Sequence, residues 1–504
     1  MKHMKDSRRE FLKKTGCALS MTALATEMLH LGTMSAVAQQ TVKAKSELAP
    51  DAGDYKALIL VFWAGGNDGN NSVIPNHSDA SVSNYTAYSN ARNLQGLAIA
   101  QDQLLPIAVP KMNGLTYGLH PAFGPVTGGI NSGIHELWSL GKLAVVTNCG
   151  TLIRPMSKTT YQNGSVQKPY QLFSHSDQVA QYQTSISNTQ AFTGWGGRVS
   201  DKLTAGFNPG GLVPMVASIA GAQLFTAGQT TLPMAIAQAN NTGTPNLANV
   251  LNPVGFTSTT ASQARLSAFN QLRTVDLDNN FIKEASHVTD LAMSANAALQ
   301  TSQEVSVTFP NTSIGLQLKQ VARLIKKRTD LNVGRQIFYC QLGSFDTHNN
   351  QVATQNTLLS QFSQATRAFY DEMVMQGIDQ SVTLFTLSDF GRTFNPAGSG
   401  GTVGSDHAWA NHMFVLGGSV FGGDFYGVNT ANGTPYPTLT IGTSGPDDTD
   451  NGSGARGRWI PTTSVDQYAN TLARWFGLPQ DAATLEAVFP NLDNFVTTNL
   501  GFLP

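Results

Sequence analysis

Residues 57–71 read A-L-I-L-V-F-W-A-G-G-N-D-G-N-N, and this stretch decides the fold class. Its first seven residues are apolar without alternation, which is typical of a strand covered on both faces in a parallel sheet. Similar apolar runs recur at 143–147, 336–342, 382–387 and 413–416. Two segments between these runs have apolar residues at helical spacing: Ile314, Leu318, Val321 and Ile325, then Leu358, Phe362, Ala365, Phe369 and Met373. The alternation predicts an α/β fold with a doubly wound, mostly parallel sheet and helices on both faces.

Composition excludes several classes of function. The 504 residues include 31 Lys and Arg against 32 Asp and Glu, a formal net charge of -1 that gives no support for nucleic-acid binding. Charged residues make up only 12% of the chain, and 48 glycines indicate many loops with an uncharged polar surface. No apolar stretch reaches the length of about 18 residues that a spanning helix needs, so we expect no integral membrane segment in the mature chain.

The N-terminus carries an export pattern. Residues 7–13 read S-R-R-E-F-L-K, the pattern of a bacterial twin-arginine signal, and A-V-A at 36–38 is a cleavage site that would leave Gln39 as the first residue. This route carries folded proteins across the membrane. We therefore expect the twin-arginine translocase as a partner during export, and a periplasmic or extracellular location afterwards.

The predicted organisation has one large domain. Residues 1–38 form the signal peptide, 39–54 a linker, and 55–504 the α/β domain. Residues from about 200 to 305 are richer in Ala, Ser, Thr, Asn and Gln, which indicates an inserted, helix-rich cap. The mature chain keeps Cys149 and Cys340, each at the end of an apolar run, and we expect buried free thiols, with a disulfide as the alternative.

Acidic and imidazole side chains lie at the ends of several predicted strands, where ligands of an open α/β sheet collect. They are Asp68 after the first run, Asp346 and His348 after 336–342, Asp389 with Arg392 after 382–387, and Asp406, His407 and His412 at the start of the last run. Carboxylates gathered in one cleft repel each other unless a cation lies among them. The carboxylates and imidazoles of this set are therefore predicted to bind one or two divalent metal ions, with zinc, manganese, magnesium and calcium all compatible.

Each segment also has a structural interpretation when it is taken alone. Asp68 is compatible with a turn, Asp346 and His348 with a helix cap, and Asp389 with an ion pair to Arg392. The Gly- and Asp-rich tract 442–457 is typical of a solvated loop, with a calcium loop as the alternative. The segment 65–69 lacks the G-x-G-x-x-G spacing and a P-loop lysine, which disfavours a nucleotide site.

Nine ordered segments resemble a bacterial family of twin-arginine-exported proteins of unknown function, related to the alkaline phosphatase and sulfatase superfamily. They are L-I-L-V-F-W-A-G-G-N-D-G-N-N (58–71), G-L-H-P-A-F (118–123), G-K-L-A-V-V-T-N (141–148), S-H-S-D-Q (174–178), G-W-G-G-R (194–198), G-S-F-D-T-H-N-N-Q (343–351), L-S-D-F-G-R-T (387–393), S-D-H-A-W-A-N-H-M-F-V-L-G-G (405–418) and V-D-Q-Y-A-N-T-L-A-R-W-F-G (465–477). The resemblance covers almost the whole chain. It implies metal-binding roles for Asp68, Asp346, His348, Asp389 and His407, with Asp406 beside the last.

The resemblance also implies a nucleophilic hydroxyl at the start of a helix after an early strand. Ser174 is the best match, with Ser157 behind it, and His175 would donate or accept a proton. Arg392 would stabilise charge on the transferring oxyanion. Phe390 departs from the superfamily pattern, since it stands where an Asp-His pair would have its histidine.

Two functions follow as expectations. The first is a periplasmic or secreted metal-dependent hydrolase of phosphate or sulfate esters, acting on a small ester substrate through a hydroxyl nucleophile. The alternative is a non-catalytic, metal-binding secreted protein on a phosphatase-like scaffold. Turnover of an ester by the metal-loaded protein separates the two.

Overall fold

A computed structural model describes residues 54–231, 233–240, 259–275 and 304–504, with scattered positions between 277 and 299. The predicted signal peptide 1–38 and the linker 39–54, apart from its last residue, lie outside the described residues. Among those described, no helix is long and apolar enough to cross a membrane.

The strands form one large and one small sheet. In chain order they are β1 Lys56–Trp63, β2 Val73–Pro75, β3 Leu105–Val109, β4 Leu115–Leu119, β5 Leu143–Gly150, β6 Val216–Ser218, β7 Met234–Ala235, β8 Arg335–Leu342, β9 Val382–Ser388, β10 Asn411–Gly417, β11 Phe425–Tyr426 and β12 Thr463–Ser464. The large sheet has the order β11-β5-β10-β9-β1-β8-β6-β7, with β12 paired to β5, and the small sheet has the order β2-β4-β3.

The large sheet is parallel except at β10. Strand β1 pairs in parallel with β8 on one side and β9 on the other, whereas β10 is antiparallel to both β9 and β5. Because β10 is reversed, the residues that precede it lie at the same edge as the carboxyl ends of β9, β1 and β8. This topology brings segments far apart in the chain to one edge.

The helices cover both faces of the sheet. They are α1 Gly69–Ser72, α2 Tyr85–Arg92, α3 Glu136–Ser139, α4 Lys158–Asn163, α5 His175–Thr184, α6 Trp195–Phe207, α7 Thr260–Leu272, α8 Ser313–Lys326, α9 Gln351–Met375, α10 Val465–Phe476 and α11 Ala482–Val488. The chain is thus an α/β protein with a mixed, mostly parallel central sheet, as the apolar runs predict.

Alternate side chains of β1 enter two separate cores. Ile59 and Val61 pack in the core that contains the apolar stripes of α8 and α9, while Leu58 and Leu60 pack in the core that contains those of α6 and α10. Burial on both faces explains why the run 57–63 has no polar alternation. Helix α10 ends at Gly477, whose φ of 114° is a left-handed conformation that glycine accommodates best.

The segment predicted as a cap contributes to the sheet as well. Strands β6 and β7 extend the edge beyond β8, and α7 is the longest helix described between residues 208 and 304. That the segment is an inserted cap stays a prediction.

The two cysteines are free and buried, as expected. Cys149 lies in β5 and Cys340 in β8, with β10, β9 and β1 between them. Four strand spacings of about 4.8 Å place the two thiols far beyond disulfide reach.

Candidate metal centre

Three chain segments meet at the edge formed by the carboxyl ends of the parallel strands. The loop after β8 carries Asp346 and His348, and the loop that leads into β10 carries His407. The third segment is the start of α5, where His175 is the first helical residue. His175 follows no strand directly, and the sequence predicted it as a proton carrier.

The side chains of these segments converge. Ligand atoms of His175, Asp346 and His407 all lie within 4.8 Å of one another. The Nε2 atoms of His175 and His407 are 3.1 Å apart, and each is 3.5 Å from Asp346 Oδ1. His348 extends the group, since its Nε2 lies 3.0 Å from His407 Nε2 and 3.1 Å from Asp346 Oδ1. We call these four residues the metal cluster.

Each imidazole of the metal cluster is held at its other ring nitrogen. His175 Nδ1 donates to Asp389 Oδ2 over 2.7 Å, His407 Nδ1 to the Phe173 carbonyl over 2.9 Å, and His348 Nδ1 to Asp406 Oδ1 over 3.2 Å. Carboxylates and carbonyls only accept hydrogen bonds, so Nδ1 carries the proton in all three rings. Each Nε2 of a neutral ring therefore presents a lone pair to the others, as in histidine ligands fixed by outer partners.

Three lone pairs and a carboxylate oxygen that face one another need positive charge between them. A shared proton would satisfy one of the contacts, whereas a metal ion among the ligand atoms of His175, Asp346 and His407 would satisfy those three at once. Ligand atoms about 2.0–2.1 Å from a tetrahedral zinc are about 3.3 Å from each other. The distances of 3.1 and 3.5 Å among the ligand atoms of His175, Asp346 and His407 are close to that spacing, so these three donors fit a divalent cation, and His348 lies beside them.

The metal cluster is open to solvent. The side chain of Asp346 is 46% exposed and that of His348 is 44% exposed, whereas the partners Asp389 and Phe390 are buried. A cation here would keep at least one side toward solvent, which is the arrangement of catalytic rather than structural metal sites.

Arg392 does not have the predicted role of oxyanion stabiliser. Its side chain is fully buried and donates to the carbonyls of Gly65, Gly66, Phe345 and Ser405 and to the Asp346 carboxylate. All three guanidinium nitrogens make hydrogen bonds and the side chain is 0% exposed, so Arg392 presents no exposed donor to a substrate. It instead ties three loops together and orients Asp346.

The electrostatics of the metal cluster follow from burial and close charges. Burial raises the pKa of the Asp346 carboxyl, but the hydrogen bond and charge of Arg392 outweigh burial, and the net pKa lies below its ordinary value. The hydrogen bond to Asp389 raises the pKa of His175. Burial lowers the pKa of His407, with the nearby Arg392 acting in the same direction. Asp346 is thus an anion at neutral pH, and the neutral ring of His407 offers the lone pair of its Nε2 atom.

The glycine pair after β1 allows this close packing. A Cβ atom on Gly65 would lie 2.4 Å from the backbone nitrogen of Asp346, and Gly65 also has a φ of 114°. A Cβ atom on Gly66 would lie 2.5 Å from the ring of Phe390. That ring packs against the imidazoles of His175 and His407, with ring centroids 4.7 and 4.6 Å away. Phe390 thus forms an apolar floor under the metal cluster.

Asp68 was predicted as a metal ligand, and the structure gives it a different environment. Its buried carboxylate forms an ion pair with Arg92, whose side chain is also fully buried. It also accepts from the backbone nitrogen of Asn70 and from the side-chain amides of Asn70 and Gln351. Both oxygens are engaged in these contacts, so Asp68 stabilises the loop below the metal cluster and is not part of it.

Three other predicted ligands also lie outside the cluster. Asp389 and Asp406 orient His175 and His348, and their second oxygens contact the Gly65 amide and Arg456 at 2.9 and 2.7 Å. His412 is buried, and its Nδ1 accepts from the Asn148 amide. Burial lowers the pKa of His412 to about 3, so the ring is a neutral structural group.

Ser174, the candidate nucleophile, lies at the start of a helix. It is the N-cap of α5, directly before His175. Its hydroxyl donates to Asp177 Oδ2 over 2.5 Å and lies 3.2 Å from Ser176 Oγ. Ser157, the second choice, caps α4, where its hydroxyl accepts from the Thr160 amide.

Sequence reasoning missed several residues that support the metal cluster. Phe173 has a φ of 69°, rare for a residue with a side chain, and this conformation aims its carbonyl at His407. Arg458 donates to the carbonyl of His407, and its guanidinium lies over the Phe173 ring. Phe173 contacts His407 through its backbone carbonyl, so no side-chain pattern could have indicated this contact.

The loop 442–457, for which calcium binding was one alternative, is organised by a lysine. Lys158 Nζ donates to the carbonyls of Gly442, Gly445 and Asp450. The Asp448 carboxylate accepts from the amides of Gly442 and Arg458. An ammonium group therefore lies where carbonyl oxygens of this loop meet.

A family described as Protein of unknown function (DUF1501) matches residues 129–436, more than half of the chain. The chain belongs to this family. The segment matched to DUF1501 includes all four residues of the metal cluster and excludes Asp68, Arg456 and Arg458. No curated protein matches the chain.

Several solved structures are similar to this DUF1501 protein at low identity. The PsFucS1 sulfatase from Pseudoalteromonas sp. is 9% identical, with 78% of this chain and 68% of that chain covered and a TM-score of 0.26. A putative sulfatase from Bacteroides thetaiotaomicron is 10% identical, with 87% and 75% covered and a TM-score of 0.27. The lipoteichoic acid synthase LtaP from Listeria monocytogenes is 9% identical, with 82% and 77% covered and a TM-score of 0.24. Matches at these TM-scores carry no argument about activity.

Proposed function

We propose that this protein is an exported, metal-dependent hydrolase of phosphate or sulfate esters. The observation that carries the proposal is the convergence of three Nε2 atoms and one carboxylate oxygen, with every Nδ1 held by an acceptor. His175, Asp346 and His407 would hold a divalent cation, with His348 as a further ligand. Zinc fits a set of two imidazoles and one carboxylate with an open position best.

A divalent cation in the metal cluster would supply Lewis acidity toward an ester oxygen. The protein's own residues fix where that acidity acts. Asp389 and the Phe173 carbonyl hold the rings of His175 and His407 so that both Nε2 atoms face Asp346 Oδ1. Arg392 keeps Asp346 deprotonated and in place.

Ser174 is the candidate nucleophile. Ser174 directly precedes the cluster residue His175 at the amino end of α5, where the helix dipole favours an anionic ester group. The hydrogen bond from its hydroxyl to Asp177 supports Asp177 as the group that takes the proton. His175 would serve as a metal ligand in this scheme and is not needed as a proton carrier.

The test of the hydrolase is a screen of aryl phosphates and aryl sulfates with the metal-loaded protein. We expect turnover that disappears on chelation and that falls by at least about a thousandfold in Ser174→Ala. Ser176→Ala is the matched control, since its hydroxyl is two residues away, and we expect it to keep most of the activity. Turnover that is unchanged in Ser174→Ala would contradict the role of Ser174.

One observation favours the alternative, a non-catalytic metal-binding protein. Arg392, the residue predicted to stabilise the transferring oxyanion, has its donors engaged with backbone carbonyls and Asp346. If the protein is non-catalytic, we expect it to bind metal stoichiometrically but to hydrolyse no ester in the screen.

Export through the twin-arginine route to the periplasm or beyond is part of the proposal. The pattern S-R-R-E-F-L-K at 7–13 and the A-V-A site at 36–38 support it. Replacement of Arg8 and Arg9 by lysine is expected to leave the precursor inside the cell, whereas the wild-type protein starts at Gln39 by N-terminal sequencing. Processing and export that do not depend on the two arginines would contradict this route.

A further inference from the structure

A cavity of about 370 Å³ lies between the loop around residues 98–103, the turn at His120–Pro121 and the start of α9. Its volume lies within the range of about 300–1,000 Å³ that is usual for small-molecule pockets. The apolar part of its wall is formed by Ala98, Ile99, Pro121 and Val403. We call it the His120 cavity.

The first residues of α9 line this cavity. The N-cap residue Asn350 makes no side-chain capping bond, and α9 is 25 residues long. The amides of Gln351 and Thr354 donate to the carbonyls of Val403 and Asn350 over 3.1 and 3.2 Å. Within the described part of the chain, the amides of Val352 and Ala353 have no acceptor, and both residues line the cavity. Such amides, with the positive end of the helix dipole, attract anions.

A buried histidine supplies an independent donor. His120 is 3% exposed and lines the same cavity. Its Nδ1 accepts from the Ala122 amide over 3.0 Å, so the proton of the neutral ring is on Nε2. No acceptor for this Nε2–H lies among the described residues, although buried polar groups normally have a partner. Burial lowers the pKa of His120 to about 3, which keeps the ring neutral.

We propose that the His120 cavity binds an oxyanion group of a small ligand through the amides of Val352 and Ala353 and the Nε2–H of His120. Among the residues that the structure describes, no lysine or arginine lines the cavity, so neutral donors and the helix dipole do the binding. The apolar wall would contact the body of a ligand that bears a carboxylate, sulfate or phosphate group. This site is distinct from the metal cluster and does not depend on the proposed hydrolase activity.

The first test is calorimetric titration of the full protein with sodium sulfate and with sodium acetate at constant ionic strength. We expect saturable binding of at least one anion, about tenfold weaker in His120→Asn. Asparagine keeps an acceptor for the Ala122 amide and is a favourable N-cap residue, but it lacks the Nε2–H donor. Equal affinity in wild type and His120→Asn, or no saturable binding of either anion, would overturn the proposal.

A pair of variants at Ala353 tests the helix end. Ala353→Asp places a tethered carboxylate at the start of α9, which is favourable for the helix and competes with the anion. We expect it to lose anion binding with an unchanged or higher melting temperature, whereas the neutral Ala353→Asn binds within about threefold of wild type. Wild-type affinity in Ala353→Asp would contradict the site. Asp346→Asn should keep anion binding; loss there would assign the anion to the metal cluster instead.

Discussion

His175 and Asp389 form a hydrogen bond of 2.7 Å between Nδ1 and Oδ2, across 214 residues of sequence. The other oxygen of Asp389 accepts from the Gly65 amide, so the carboxylate is fixed from both sides. This contact turns His175 Nε2 toward Asp346 and His407. The acid expected to bind metal thus orients the residue that would bind it.

Loss of the charge on Asp389 should weaken metal binding without abolishing it. Asp389→Asn keeps the shape of the side chain but removes the anion that fixes the His175 tautomer and raises its basicity. We expect metal affinity to fall by about 10- to 100-fold, as is usual for outer partners of histidine ligands. Competition with a chelating indicator at fixed pH measures the change.

Asp406→Asn is the matched control for that experiment. Asp406 makes the same kind of hydrogen bond to His348 that Asp389 makes to His175. The Asp406 side chain is more exposed than that of Asp389, and His348 lies beside the group formed by His175, Asp346 and His407. A smaller loss of affinity is expected there than in Asp389→Asn. A larger loss in Asp406→Asn would mean that His348 is the more important ligand.

Asp68→Ala should destabilise the fold and spare the metal. The substitution leaves the Arg92 guanidinium buried without its carboxylate. Removal of one partner of a buried ion pair costs about 3–5 kcal/mol of unfolding free energy. Urea unfolding measures the loss, and metal per folded protein should equal that of wild type. Folded Asp68→Ala without metal would return Asp68 to the ligand set.

Asp466 at the start of α10 should make stability depend on pH. Burial raises the pKa of its carboxyl to about 6 from 3.8, although Ser464 donates to it over 2.7 Å. Because the pKa is higher in the folded state, its stabilising contribution is complete below about pH 4 and is lost as pH rises through about 6. Two pKa units correspond to about 3 kcal/mol.

Urea unfolding at pH 4.5 and pH 7.5 measures this effect against Asp466→Asn. Asparagine keeps an acceptor for Ser464 but does not titrate. The loss of unfolding free energy between the two pH values should be smaller in the variant by about 2 kcal/mol, since part of the effect is already lost at pH 4.5. An identical pH dependence in both proteins would show that Asp466 is not the group responsible.

The strands were predictable because each is buried on both faces, as β1 shows with alternate residues in two cores. Asp346, His348 and His407 were predictable as a group, since strand ends meet at one edge. The antiparallel direction of β10 brings His407 to that edge. The sequence could not show this direction, because a short apolar run has the same pattern in a parallel and in an antiparallel strand.

The wrong site predictions have a common physical reason. A carboxylate at a strand end looks the same in sequence whether it binds a cation, an arginine or an imidazole. Asp68 has Arg92 as its partner, 24 residues away, and Asp389 has His175. His175 lies at a helix start, so the strand-end rule gave it no role as a ligand.

The most direct test compares the metal content of purified, folded wild-type protein with that of Asp346→Ala. Elemental mass spectrometry measures it. Asp346 Oδ1 contacts all three Nε2 atoms of the metal cluster. The metal cluster predicts about one divalent ion per wild-type chain and almost none in folded Asp346→Ala. Wild type without bound metal after incubation with zinc, or Asp346→Ala with full occupancy, would contradict a metal centre built on these four residues.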